Sequence, residues 1–327
     1  MGSKCHNCGS ADLKSLYAAS AFDSSFQQSS DTIVLARCES CHLVCTTGVN
    51  DDAIGETYTR EYYGSGTSKF LSIIESVLEL FKKRQARKIT RTWQHCANTG
   101  RSPSVLDIGC GRGQLLRAFQ SFGASVLGLE RREFPADELP GNIVRVGSIA
   151  DPEYADTHFD IVILWHVFEH LEKQAELLDT ITEHLNENGL LVIAVPNFSS
   201  LQQRIFTRYW FHLDLPRHLV HLESHWLQQQ LLDRGFTIED VSYIDLLQNT
   251  YGFIQSSLNT IAPHRMNDFY RLLKHGLSLE PRTALPLLKW GILASLIFPF
   301  ALLENIVSGL TRKGATVQIA ARRGNRP

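Results

Sequence analysis

An α/β fold, with a parallel sheet covered by helices on both faces, is what this 327-residue sequence predicts, and three observations predict it. Apolar runs of strand length alternate with helical segments between residues 104 and 195. The runs are close to continuous in Val, Ile and Leu, the composition of strands buried on both faces. A glycine-spaced turn, Gly109-Cys110-Gly111-Arg112-Gly113, follows the first run with no intervening loop.

Ahead of that core, residues 1–50 read as a separate small module. Cys5-His6-Asn7-Cys8 and Cys38-Glu39-Ser40-Cys41 are two C-x-x-C knuckles, which together supply four thiolates for a tetrahedral ion. Cys5, Cys8, Cys38 and Cys41 are therefore expected to hold structural zinc, with no position left open for catalysis. Cys45 reads as a packed thiol, and the polar stretch Asp23 to Asp31 as the tip of a protruding hairpin. Residues 51–100 read as linker and covering helix. Tyr58, Tyr62 and Tyr63, with Gly64 and Gly66, suit packing between domains. From Lys69 to Cys96 apolar residues recur at helical spacing, which predicts a helix over the site, with Arg84, Arg87 and Lys88 on a solvated face.

Within a domain of residues 101–248, strands are expected at 104–108, 125–130, 143–146, 159–165 and 189–195, and helices at 113–122, 171–187 and 223–234. Residues 236–246 should form a sixth strand, and 315–321, within a final segment 314–327, a seventh. The insertion 249–313 between them contains Ala284 to Leu303, whose single charge is Lys289. That run is long and apolar enough to cross a membrane. A single crossing would leave the seventh strand on the wrong side, however, and Pro286 and Pro299 should interrupt one straight helix. A helical hairpin at the membrane interface, broken near Pro299, satisfies both constraints. The alternative is a buried helical subdomain or a dimer interface.

Ligands of such sheets bind beyond the carboxyl ends of the strands, where Asp107, Glu130, Ser148, Trp165, His166 and Asn197 all fall. Glycines at 109, 111 and 113 let the backbone approach a ligand closely. Glu130, at the tip of the second strand, is placed to grip two vicinal ribose hydroxyls. The G-x-G-x-G spacing departs from the G-x-G-x-x-G of dinucleotide turns, and Asp107 suits an ammonium better than a pyrophosphate. Val105 to Gly113, with Glu130, resemble motif I of class I S-adenosylmethionine (SAM)-dependent methyltransferases. Phe159 to Leu171 resembles motif IV of the ubiquinone-O-methyltransferase-like branch, and Gly189 to Asn197 its fifth strand with a Pro-Asn ending.

The resemblance runs from Ser104 to Phe236. It implies a Rossmann-like class I methyltransferase sheet, here with an N-terminal zinc ribbon and a hydrophobic helical insertion between strands six and seven. It implies SAM as cofactor, held by Asp107, Gly109, Cys110, Gly111, Gly113, Glu130, Ser148 and Trp165. The family commonly has an acid after strand three for the adenine amine. Gly147-Ser148-Ile149 stands there instead, which moves that contact to Ser148 or to backbone groups.

Methyl transfer needs alignment and, for many acceptors, a base near the ends of strands four and five. His166, Glu169, His170 and the segment Trp210 to Leu219 offer candidates. Pro216-Arg217-His218-Leu219 resembles a stretch in sugar- and lipid-associated members. His166 and His218 are taken as catalytic candidates and Arg217 as an anchor for a phosphate or carboxylate. A structural role, as cap or satisfied core group, fits each histidine equally well. Glu169 and His170 read as organisers of the strand-to-helix turn. His166 stands where the ubiquinone branch often has Glu, so a carboxylate metal site does not carry over.

The expected activity is O- or C-methylation of a small-molecule, glycan or lipid-linked acceptor. An RNA methyltransferase with a zinc-ribbon substrate module and a non-enzymatic SAM-binding scaffold are the rivals. A net charge of -2 without a basic stripe argues against nucleic acid. Seven cysteines, mostly in short-spaced pairs, and an N-terminus without an apolar core point to the cytoplasm, with peripheral contact at the inner face of the membrane.

Overall fold

The computed structural model describes residues 4–19, 21, 33–49, 72–131, 143–274 and 281–324; the Asp23–Asp31 tip and the three linker tyrosines lie outside them. Two sheets organise the chain. Strands β1 (Leu13–Ala19), β2 (Ile33–Cys38) and β3 (Val44–Thr47) form an antiparallel meander, closed by the short β9 (Val220–His221). Val44 pairs with His221 and Cys45 with Val220, so the ribbon's fourth strand comes from the larger domain. Cys5, Cys38, Leu43 and Cys45 share one apolar cluster with Val220 and Leu222.

The larger sheet holds β4 (Ser104–Ile108), β5 (Ser125–Glu130), β6 (Val144–Val146), β7 (Phe159–Trp165), β8 (Leu185–Pro196), β10 (Phe236–Ser242) and β11 (Thr316–Arg323). Their order is β10-β11-β8-β7-β4-β5-β6, and β11 alone runs antiparallel to both its neighbours. The chain moves outward from β4 to β6 and then crosses back to β7. The strand order therefore reverses between β4 and β7, and a crevice opens there at the carboxyl ends.

Alternate residues of these strands pack on opposite faces. Val105, Ile161 and Val192 meet Ile89 and Trp93 of α1 (Ser72–Cys96) and Phe119 of α2 (Gln114–Gln120). Leu106, Val162 and Leu191 meet Leu178 and Ile181 of α3 (Gln174–His184) on the other face. Helix α4 (Leu201–Phe206) follows β8, and α5 (Ser224–Leu232) adds Leu227 and Leu231 to the second face. Helix α3 stops at His184, short of residue 187, because Leu185 already pairs with Phe159. The strand then passes Asn188 at φ 57° and shifts register before Leu190 meets Ile161.

Between β10 and β11 lie α6 (Gln248–Ile261), α7 (Asp268–Lys274) and α8 (Pro281–Leu310). The break expected near Pro299 is not there: α8 is one helix of 30 residues that runs through both prolines. A proline removes one hydrogen bond and crowds the preceding turn, costing about 3 kcal/mol. Packing on both sides of Pro299 outweighs that. Trp290 and Ala294 before it and Ala301 after it pack with Ile254, Leu258 and Ala262. Past them, Gln202 donates to Glu304 (2.7 Å) and Asn249 to Asn305 (3.0 Å). The helical hairpin is made by α8 with α6, not by two halves of the apolar run.

Candidate active site

The glycine turn sits where the strand order reverses. Gly109, Gly111 and Gly113 adopt φ of 69°, 54° and 66°, the left-handed region that glycine enters without strain. A Cβ on Gly109 would lie 2.3 Å from Val167 Cγ2, so the turn after β4 packs directly on the loop after β7. The Gly109 amide donates to the Leu129 carbonyl (2.7 Å). Glu130 is buried, and its carboxylate accepts from the Gly111 amide (3.0 Å) and the Arg131 amide (2.9 Å). The same contacts fix the loop and aim the carboxylate along it. Cys110 turns its sulfur inward, where a Cβ on Gly128 would strike it at 2.5 Å.

Asp107 is 3% exposed, and its Oδ1 has no hydrogen-bond partner among the described residues. Burial pushes its carboxyl up from an ordinary 3.8 to about 7; Lys82 opposes the shift and Glu130 adds to it. Lys82, on the covering helix α1, lies half-buried with Nζ 5.4 Å from the centre of the Trp165 ring. Burial pulls its ammonium below the ordinary range, against the attraction of Asp107 and Asp245. A buried carboxylate oxygen without a donor, beside a glycine cradle, fits the ammonium of the SAM methionine. Sequence reasoning missed Lys82; its one signal was a cation inside the apolar stripe of α1.

Ser148 is exposed, its hydroxyl accepting from the Ala150 amide (3.2 Å). The Ser148 amide donates to Asp151 Oδ2 (2.7 Å), so an acid does follow strand three, three residues later than the motif suggested. Asn197 is structural, with Nδ2 on the Gly314 carbonyl (3.0 Å).

On the other side of Val167 the structure gathers histidines. His166 takes φ 53°, its amide donating to the Ala194 carbonyl (2.8 Å). His166 Nδ1 lies 3.6 Å and His218 Nε2 3.9 Å from the same Glu169 oxygen. Glu169 is 1% exposed, and neither carboxylate oxygen has a hydrogen-bond partner among the described residues. The His170 ring stands 4.5 Å from that of His218. One ligand atom from each of Glu169, His170 and His218 falls within 4.8 Å of the others, close enough to share a cation.

His218 Nδ1 meets the His212 carbonyl (3.0 Å), which only accepts, so the proton sits on Nδ1 and Nε2 keeps its lone pair. Burial first, then His170 and His221, hold the ring well below its ordinary range, and it is neutral near pH 7. A neutral imidazole with its Nε2 lone pair free thus faces the buried Glu169 carboxyl group. His212 is pushed to about 3, by burial and then by His166, and packs so tightly on α6 that a Cβ on Gly252 would lie 2.3 Å from its Nε2. Arg217, in contrast, is buried with Nε on Asp214 Oδ2 (3.0 Å) and Nη2 on Oδ1, and braces the turn that carries His218.

The ribbon reaches this site. Thr46 of β3 donates to the His218 carbonyl (2.5 Å), and its amide donates to the Leu219 carbonyl (2.9 Å). Within the first knuckle, the His6 carbonyl accepts from the Lys173 amide (2.9 Å) and Asn7 Oδ1 from the Ala175 amide (3.1 Å). Cys5–Cys41 and Cys8–Cys38 sulfurs are 3.6 Å apart. Four sulfurs about 2.3 Å from a central ion would be spaced about 3.8 Å apart. Cys45 also lies 3.6 Å from Cys5. The Cys5 thiol, then burial, push Cys41 up to about 12. The donor set fits zinc.

The fold and this crevice are those of the class I SAM-dependent methyltransferase family. The family profile described as a methyltransferase domain matches residues 72–241, more than half of the chain, and the chain belongs to that family. Over 108 residues the chain is 32% identical to a ubiquinone biosynthesis O-methyltransferase of Azorhizobium caulinodans, covering 28% of this chain and 40% of that protein. Over 152 residues it is 26% identical to a probable S-adenosylmethionine-dependent methyltransferase of Mycolicibacterium smegmatis, covering 45% and 57%. The chain thus spans about half the length of these relatives. Among solved structures, a SAM-dependent methyltransferase of Archaeoglobus fulgidus aligns over 75% of this chain and 94% of its own, at 19% identity and a TM-score of 0.45.

Proposed function

We propose that this methyltransferase acts on a small-molecule acceptor bound between the Val167 turn and the Glu169–His218 pair, methylating oxygen or carbon. The observation that carries the reading is Glu169, buried with no hydrogen bond to either oxygen among the described residues and two histidines within 4 Å. An isolated buried carboxylate is costly, and a proton-bearing acceptor group would satisfy it. Asp107 would take the SAM ammonium and Lys82 its carboxylate. Glu130 would take the ribose hydroxyls, and the Ser148–Asp151 turn would face the adenine. Bound SAM supplies an electrophilic methyl for in-line displacement. The chain's part is to hold the acceptor in line, exclude water and remove its proton, with His218 Nε2 or Glu169 as base and His166 orienting Glu169. Arg217 acts through Asp214 as a positioning residue. Zinc on Cys5, Cys8, Cys38 and Cys41 would be structural. At the finer level the acceptor is a small molecule, a glycan or a lipid-linked glycan, with peripheral contact at the cytoplasmic face of a membrane.

The experiment is turnover of labelled SAM against fractionated lipid, glycan and RNA extracts. Glu169→Gln and His218→Ala should each lower turnover by about 10²-fold or more, with SAM affinity within twofold of wild type. Unchanged turnover, or an equal loss of SAM affinity, removes the pair from the chemistry. Methyl transfer confined to RNA would replace the acceptor class.

A further inference from the structure

Helix α8 is the outermost layer of the insertion. Its inner face packs on α6, and α6 in turn packs on the segment before His218. There Phe253 meets Phe206 edge-on, and the Phe211 amide donates to Ser256 Oγ (2.9 Å). Among the described residues, protein therefore covers α8 from Trp290 to Asn305 on one side only. On the opposite side Leu288, Ile292, Leu296, Phe300, Leu303 and Val307 recur every three or four residues and are 44% to 66% exposed. At 1.5 Å per residue this stripe is about 30 Å long, far beyond the scattered apolar residues of an ordinary surface.

The charges around it decide the occupant. Lys289 is exposed at one end of the stripe and Arg312 and Lys313 just past the other. The sole acid from residue 281 to 313 is Glu304, buried on the inner side with its carboxylate held by Gln202. An apolar stripe with cations at both ends and no exposed acid complements an anionic bilayer. A second copy packed antiparallel on the same face would instead set Lys289 against Arg312 and Lys313. A crossing helix would need lipid on all sides, whereas α6 carries buried Asn249, Gln255 and Asn259 and has protein on its far face.

We infer that α8 is a monotopic anchor, lying in the plane of an anionic membrane with its stripe sunk to the acyl boundary. His212 packs on Gly252 of α6, so the buried histidine cluster stands one helix layer from the lipid. The inference stands independently of the acceptor assignment.

The test is flotation of the full-length protein with phosphatidylcholine vesicles, with and without phosphatidylglycerol. Wild type should float with the anionic vesicles and detach as salt rises. Lys289→Glu with Arg312→Glu should lower the bound fraction by roughly fivefold per charge. Leu296→Glu with Phe300→Glu should abolish flotation by at least tenfold, while SAM affinity by calorimetry and the melting temperature stay as in wild type. A wild-type protein that binds SAM and never floats overturns the inference. So does a dimer that Leu296→Glu with Phe300→Glu converts to monomers without any vesicle binding. Vesicle-bound protein that resists alkaline carbonate extraction would mean that α8 crosses the bilayer, which also overturns it.

Discussion

Replacing Asp107 by Asn should stabilise the ligand-free protein at pH 8 and ruin SAM binding. The buried carboxyl titrates near 7 in the folded chain against an ordinary 3.8. At 1.36 kcal/mol per pH unit that separation is worth about 4 kcal/mol, an upper bound on the cost of holding the ionised group. The sign follows from proton counts. Between pH 4 and 7 the folded state keeps a proton that the unfolded state has released, so Asp107 makes stability fall as pH rises through that window. Asn is a neutral isostere of the protonated form. The variant should therefore match wild type only below about pH 4, exceed it by about 1.6 kcal/mol at pH 5 and by about 4 kcal/mol at pH 8, which is about 3 °C and 8 °C at about 2 °C per kcal/mol for a domain of this size. His212 and His218, held low by burial, destabilise both proteins alike as pH falls below 6.5, so the difference between the two melting curves isolates Asp107. For SAM the direction reverses, because only the ionised carboxylate binds an ammonium. About one molecule in eleven is ionised at pH 6, so wild-type affinity should be roughly tenfold weaker there than at pH 8. The variant's affinity should be weak and flat. Melting curves and calorimetry from pH 5 to 8 measure both. A wild type more stable than Asp107→Asn at pH 8, or equal SAM affinity at pH 6 and pH 8, would refute the reasoning.

Two further outcomes follow from the same contacts. Lys82→Met keeps the alkyl stem on Trp165 but removes the charge, and should weaken SAM by about 10- to 100-fold while leaving the affinity of decarboxylated SAM unchanged, by calorimetry. Zinc should copurify at one ion per chain by elemental analysis. Cys8→Ser should lose it and lower turnover about tenfold or more while SAM affinity stays within twofold, because Thr46 of the ribbon holds His218 and touches none of the SAM residues; intact turnover in the zinc-free variant would show that the ribbon does not support the acceptor site.

The glycine turn and its flanking acids, the proposed cofactor half of the crevice, were legible in the sequence because they are local. Asp107, the three glycines and Glu130 fall within 24 residues, on two adjacent strands and the turn after the first, and each chemical demand leaves a mark in residue type. Positive φ asks for glycine, two-sided burial for unbroken runs of Val, Ile and Leu, and the proposed ribose contact for an acid at a strand tip. Strand limits at β4, β5 and β7 fell where the sequence indicated for the same reason. The run through Pro299 was misread because proline's cost is local, whereas the contacts that outweigh it come from α6, about forty residues upstream.

The proposed acceptor half was only partly legible, and the physical reason bears on the proposed chemistry. His166 and Glu169 come from the loop after β7, His212 and His218 from the segment after α4, and the hydrogen bond that fixes His218 from Thr46 in the ribbon. No single stretch carries this constellation, so no spacing could announce it. Glu169 looked like a turn organiser because its backbone is one: its carbonyl accepts from the Leu219 amide at 3.0 Å. That bond ties the two loops together and leaves the side chain free to face the histidines. The ribbon completes the arrangement, since β3 pairs with β9, the strand that begins two residues after His218. Three segments distant in sequence therefore converge on one buried carboxylate, and the proposed SAM residues share with them only the loop after β7, where Val167 packs on Gly109. On the proposed assignment, a chain built this way can change its acceptor by altering the ribbon or the segment after α4 without touching the glycine turn, which is why the motifs point to the methyl donor so well and to the acceptor so poorly.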